Sequence, residues 1–91
     1  MQGIITLTTD FGEVYPALMK GVIASLAPDV RTIDITNAMP AGDIRRGAFV
    51  LRYASGYFPA RTVHMAVVDP GVGSSRRALV LRGERYDFVG P

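Results

Sequence analysis

The stretch that most constrains this chain is Thr62-Val63-His64-Met65-Ala66-Val67-Val68. It is short, rich in β-branched residues and nearly apolar throughout. A strand with one wet face alternates apolar and polar residues. A run without that alternation belongs to a strand covered on both faces, near the centre of a sheet. Such a strand needs helices above and below the sheet, so the flanking sequence has to supply them.

It does so in regular order. Residues 4–9, Ile4-Ile5-Thr6-Leu7-Thr8-Thr9, read as a strand bounded by Gly3 and by Asp10-Phe11-Gly12. Residues 15–27 carry Leu18, Met19, Val22, Ile23 and Leu26 on one helical stripe, with Pro16 suited to the first turn and Pro28-Asp29 as a stop. Residues 30–36 alternate as a second strand. Asp43 is a candidate N-cap for a helix reaching about Ser55, with Ile44, Ala48 and Leu51 inward and Gly56 as terminator. After the apolar strand, residues 77–81 and 86–89 read as two short strands around a turn at Gly83-Glu84. Strand, helix, strand, helix, strand is a βαβαβ unit whose right-handed crossovers make the sheet mostly parallel. The expected fold class is α/β, a layered sandwich with a mostly parallel sheet.

Size and charge bound the function. With 91 residues, a chain buries only about 60–65% of its unfolded surface. It also stops just past an expected strand, so an incomplete N-terminal domain, a fragment, is expected. Net charge is +2, too small for a dedicated nucleic-acid or membrane-surface binder, and basic and aromatic residues are not expected to interleave. The charge is uneven: up to Asp43 there are five acids and two bases, and from Arg45 onward three acids and eight bases. Arg45, Arg46 and Arg52 at helical spacing read as a solvated face. Cysteine is absent, which excludes disulfides, thiolate metal sites and a Cys nucleophile. No apolar run approaches the roughly 20 residues needed to span a bilayer. The N-terminus lacks the flank and cleavage site of a signal peptide. A cytoplasmic location is expected.

In open parallel sheets ligands bind beyond the carboxyl ends of the strands. Three loops reach that edge: Thr8-Thr9-Asp10-Phe11-Gly12, Thr36-Asn37-Ala38, and Asp69-Pro70-Gly71-Val72-Gly73-Ser74-Ser75-Arg76-Arg77. Asp10 and Asp69 stand at the tips of two of them. Asp10 can cap the following helix, hold its own loop as an Asx-turn, or accept hydrogen bonds from a ribose diol beside Gly12. In the third loop an Asp and an Arg at either end of a Gly-rich turn can meet as an ion pair. Gly71-Val72-Gly73 lacks the third glycine and the lysine of nucleotide-phosphate loops, and a strand follows it where a helix is needed. His64, inside the apolar strand, reads as a satisfied core histidine, and one isolated His makes no metal site.

The segments Thr8-Thr9-Asp10-Phe11-Gly12, Met19-Lys20-Gly21-Val22-Ile23, Ile33-Asp34-Ile35-Thr36, Gly47-Ala48-Phe49, Phe58-Pro59 and above all Val63-His64-Met65-Ala66-Val67-Val68-Asp69-Pro70-Gly71-Val72-Gly73 resemble the N-terminal domain of the S-adenosyl-L-methionine (SAM) hydroxide adenosyltransferases. These SAM hydrolases are relatives of the fluorinase and chlorinase. The resemblance implies cleavage of SAM to adenosine and L-methionine, with Asp69 and Arg76 catalytic and Asp10 on the ribose. Phe11, Gly12, Tyr15, Gly71 and Val72 are the further substrate-binding positions it suggests. It also implies a third catalytic residue, a His beyond residue 91, a C-terminal β-barrel domain, and sites formed between the subunits of a homotrimer. His64 is not that His. Halogenases carry an uncharged residue at the position of Asp69, so aspartate favours hydrolysis. The connection from Glu13 to Leu18 is shorter than in many relatives, leaving Glu13 as the candidate acid near the methionine amino group.

The chemistry agrees with these assignments. A sulfonium leaves as neutral methionine sulfur and needs no acid, so the demand falls on water, a poor nucleophile with a pKa of about 15.7. Asp69 can orient that water or accept its proton, and Arg76 can stabilise developing hydroxide. SAM is then substrate, and neither cofactor nor metal is expected. The competing readings are a non-catalytic adenosine or SAM-binding module and a SAM-dependent halogenase relative.

Overall fold

A computed structural model describes residues 3–70 and 77–91. In chain order its elements are β1 (Ile4–Thr9), α1 (Val14–Leu26), β2 (Arg31–Thr36), α2 (Ile44–Ser55), β3 (Val63–Val67), β4 (Leu79–Arg82) and β5 (Asp87–Gly90). They form one five-stranded sheet in the order β2-β1-β3-β5-β4. β1 runs parallel to both β2 and β3, β3 runs parallel to β5, and β4 returns antiparallel to β5. The α/β sandwich with a mostly parallel sheet is therefore observed, and β3 holds the middle position. β1 leads left to β2 and the chain then crosses back to β3. The right-handed rule for such crossovers, run in opposite directions, places the two connecting helices on opposite faces of the sheet.

Burial departs from the sequence reading in three places. The most enclosed strand is β1, where Thr6, Leu7, Thr8 and Thr9 are all at 0% exposure; β3 is fully buried only at His64. On α1 the apolar stripe turns outward: Leu18, Val22 and Leu26 are exposed, while Pro16 is buried and Met19 and Ile23 half-buried. The helix is apolar around most of its circumference, so the sequence offers two stripes and packing selects the one through Met19 and Ile23. On α2 the buried residues are Gly47 and Ser55, not Ile44, Ala48 and Leu51. Gly47 turns inward because helix and strand approach closely there: a Cβ at this glycine would meet Val68 Cγ2 at 3.3 Å. The outer face of α2 carries Phe49 and Tyr53 exposed beside exposed Arg45, Arg46 and Arg52, with exposed Tyr57 just past its C-cap Gly56, so aromatic and basic residues do interleave on this helix. Asp43 caps it as expected, accepting a hydrogen bond from Arg46 N at 3.0 Å.

The lower end of the core is polar and aromatic. Thr6, His64 and Phe88 lie in one register row across β1, β3 and β5. His64 Nδ1 is 2.7 Å from Thr6 Oγ1, and its ring sits 5.5 Å from Phe58, 5.1 Å from Tyr86 and 5.5 Å from Phe88. The histidine is a core residue, but satisfied at one nitrogen only: among the described residues Nε2 has no hydrogen-bond partner. Burial pushes the imidazole below its ordinary value of 6.5, because a charged ring there would lose its water.

His64 is the single histidine of the chain, which isolates its titration. Its folded pKa is depressed, so below about pH 6.5 the unfolded chain binds a proton that the folded chain refuses, and stability falls as pH falls. Urea unfolding at about pH 7.5 and pH 5.5 should show a lower midpoint at the acid value, with the difference reduced in His64→Phe. Equal midpoints for the native sequence would contradict a buried neutral imidazole.

Candidate functional site

The chain order sets a switch point in the sheet. β1 is followed in the chain by β2 on one side of it, while β3 pairs on its other side with β5, so the strand order reverses between β1 and β3. This is the switch point at which doubly wound sheets bind ligands. Asp10 follows β1 and Asp69 lies just past β3. Their loops are joined at the base, where Asp10 N donates to Val67 O at 3.4 Å.

Thr9 organises the first loop. It is fully buried, its Oγ1 donates to Asn37 Oδ1 at 2.8 Å and accepts from Phe11 N at 3.2 Å, and its carbonyl accepts from Met39 N at 3.2 Å. Gly12, at φ +79, turns its N–H onto Asn37 O at 2.9 Å. These bonds staple the loop after β1 to the loop after β2 without using the Asp10 side chain. Asp10 accordingly neither caps α1 nor forms the Asx-turn: Glu13 occupies the N-cap position and makes no side-chain cap bond, and Thr9 holds the turn. The Asp10 carboxylate reaches across to the loop before α2, where Oδ2 accepts the Gly42 N–H at 2.7 Å.

Asp69 is 6% exposed. It borders an open cleft of about 210 Å³ between Ile44, Gly47, Ala48 and Leu51 of α2, Ala66 of β3 and Val68 just past it. The three α2 residues expected inward therefore line this cleft. Phe11 is half-buried and meets the exposed Tyr15 edge-to-face at 6.2 Å. Asp10, Phe11, Gly12 and Tyr15 thus share one stapled loop and helix start, next to the Asp69 loop. Gly71, Val72 and Arg76 lie outside the described residues. Glu13, Lys20, Asp34 and Asn37 border a separate recess beside β2, where Lys20 Nζ and Asp34 Oδ2 pair at 2.6 Å. Among the described residues no group of three or more His, Asp or Glu could hold a metal ion, and no helix is long and apolar enough to cross a membrane.

A profile of the SAM hydroxide adenosyltransferase N-terminal domain matches residues 5–91. The chain belongs to this family. Among its relatives, a protein of Salinispora arenicola named (R)-S-adenosyl-L-methionine hydrolase is 51% identical over 89 residues, covering 96% of this chain and 34% of that protein. A Thermus thermophilus protein of the same name is 45% identical over 85 residues, covering 91% and 33%. A Nocardia brasiliensis fluorinase is 32% identical over 81 residues, covering 87% and 27%. The chain spans about a third of the length of these hydrolases. Among solved structures, a conserved hypothetical protein from Thermus thermophilus superposes with a TM-score of 0.87 at 41% identity, over 100% of this chain and 38% of that one. An uncharacterized conserved protein from Thermotoga maritima gives 0.90 at 39%, over 96% and 35%.

Thr9, Asn37 and Gly42 carry no side-chain chemistry that marks a site, and sequence reasoning assigned them no role. The one available signal for Gly42 was its place directly before the Asp43 cap. Thr9→Val keeps the shape and removes the oxygen, so it should cost about 1–2 kcal/mol of stability and speed exchange of the Phe11 amide. Urea unfolding and amide hydrogen exchange measure both, and an unchanged Phe11 rate would show that the staple does not hold the loop.

Proposed function

We propose that this chain forms the nucleoside-binding front of a SAM hydrolase. In that enzyme water or hydroxide attacks the ribose 5′ carbon of SAM and releases adenosine and L-methionine. The observation that carries this proposal is the placement of two loop aspartates, Asp10 and Asp69, on either side of the β1/β3 switch point. The hydrolase relatives at 45–51% identity support it, and their names make the (R) sulfonium the substrate to test first.

Asp10 accepts hydrogen bonds from the ribose hydroxyls, one carboxylate having room for both donors. Phe11, Gly12 and Tyr15 border the nucleoside, and Gly71 and Val72 are the further substrate-binding positions of this reading. Asp69, withdrawn from bulk solvent, holds the attacking water in line behind C5′ and takes its proton, while Arg76 offsets the charge developing on oxygen. Fixing that approach supplies much of the acceleration. The new bond joins the water oxygen to C5′. The C5′–S bond breaks, its electron pair stays on sulfur as a neutral thioether, and the proton passes through Asp69 to solvent. The active form is a cytoplasmic homo-oligomer, a trimer by family likeness, with its third catalytic residue, a His, beyond residue 91. Aspartate at position 69 favours this reaction over halide transfer.

The full-length polypeptide incubated with SAM should yield adenosine and methionine on chromatography. Asp69→Asn and Arg76→Ala should each lower turnover by about 100-fold or more and leave adenosine binding little changed. Intact SAM, full turnover by either variant, or halogenated adenosine when halide is supplied would sink the proposal.

A further inference from the structure

An aspartate carboxylate rotates about a broad two-fold torsion, so a diol finds it correctly turned only part of the time unless something fixes it. In this chain a backbone group does so. Gly42 N donates to Asp10 Oδ2 at 2.7 Å, a short charge-assisted bond of the strong class. Among the described residues Oδ1 accepts no hydrogen bond, which leaves it, and the second lone pair of Oδ2, for hydroxyl donors.

Gly42 can occupy this place because it is glycine, on two independent grounds. Its φ is +69, the left-handed region that L side chains rarely adopt. A Cβ on it would stand 3.1 Å from Pro70 Cβ and 3.4 Å from Pro70 Cα. Gly42 therefore lies between the Asp10 carboxylate and the residue following Asp69, and it touches both loops. We propose that Gly42 is the positioning residue that sets the Asp10 carboxylate for the ribose diol and holds it at a fixed spacing from the Asp69 loop. This rests on the proposal that Asp10 binds ribose. A side chain at 42 strains the turn, presses on Pro70 and withdraws the amide, so the loss falls on ligands with ribose hydroxyls.

The test compares adenosine with 2′,3′-dideoxyadenosine by calorimetry on the full-length polypeptide and its Gly42→Ala variant. The native protein should prefer adenosine. Gly42→Ala should weaken adenosine binding on the order of tenfold and leave the dideoxy nucleoside unchanged. If Gly42→Ala does not fold by circular dichroism, Gly42→Asn serves, since Asn tolerates positive φ while still placing a Cβ against Pro70. Full preference for adenosine in the folded variant, or equal weakening of both nucleosides, would overturn the role of Gly42. No preference in the native protein would instead remove the ribose role of Asp10.

Discussion

The parallel pairing of β1 with β3 is the constraint on which the rest of this structure depends. Ile5 to Thr9 lie in unbroken register against Val63 to Val67, and that pairing brings together two loops far apart in sequence. It is also the point where the chain changes direction across the sheet, with β2 on one side and β5 on the other. Neither strand can shift by one residue without exchanging its two faces. Thr6 would then lose His64, and Val68 would lose its close fit against Gly47. The spacing of Asp10 and Asp69 is thus inherited from strand register.

Register alone does not make a site, because loops at a sheet edge are mobile unless tied. Here the ties are hydrogen bonds, with little apolar packing behind them: among the described residues, Leu7 and Met39 make up the buried hydrophobic core. Thr9 to Asn37, Gly12 to Asn37, Met39 to Thr9 and Gly42 to Asp10 form a ladder between loops. Each bond contributes only about 0.5–1.5 kcal/mol in net terms, more where a carboxylate accepts. Their value for chemistry is geometric. A nucleophile that must approach C5′ in line gains most from groups already in place.

Much of this was legible in the sequence, and the misses share a cause. The βαβαβ order, the Asp43 cap and the two loop aspartates were readable because they depend on side-chain type and period. The facing of α1 was not, since Leu18, Val22 and Leu26 are as apolar as Met19 and Ile23, and only contact with the sheet separates them. Gly42 was invisible as a functional residue because it acts through its backbone N–H, a donor almost every residue possesses. That Nε2 of His64 finds no partner among the described residues depends on what fails to surround it, which no local pattern encodes. Interleaving of Phe49 and Tyr53 with arginines was missed because it becomes visible only once α2 is oriented.

If water held at Asp69 attacks the ribose carbon, the oxygen at C5′ of the product comes from solvent. The most direct measurement is SAM turnover by the full-length polypeptide in ¹⁸O-enriched water, followed by mass spectrometry of both products. A single solvent oxygen in adenosine, on C5′, and none in methionine is the expected result. Adenosine without the label, or label carried by the methionine fragment, would contradict it.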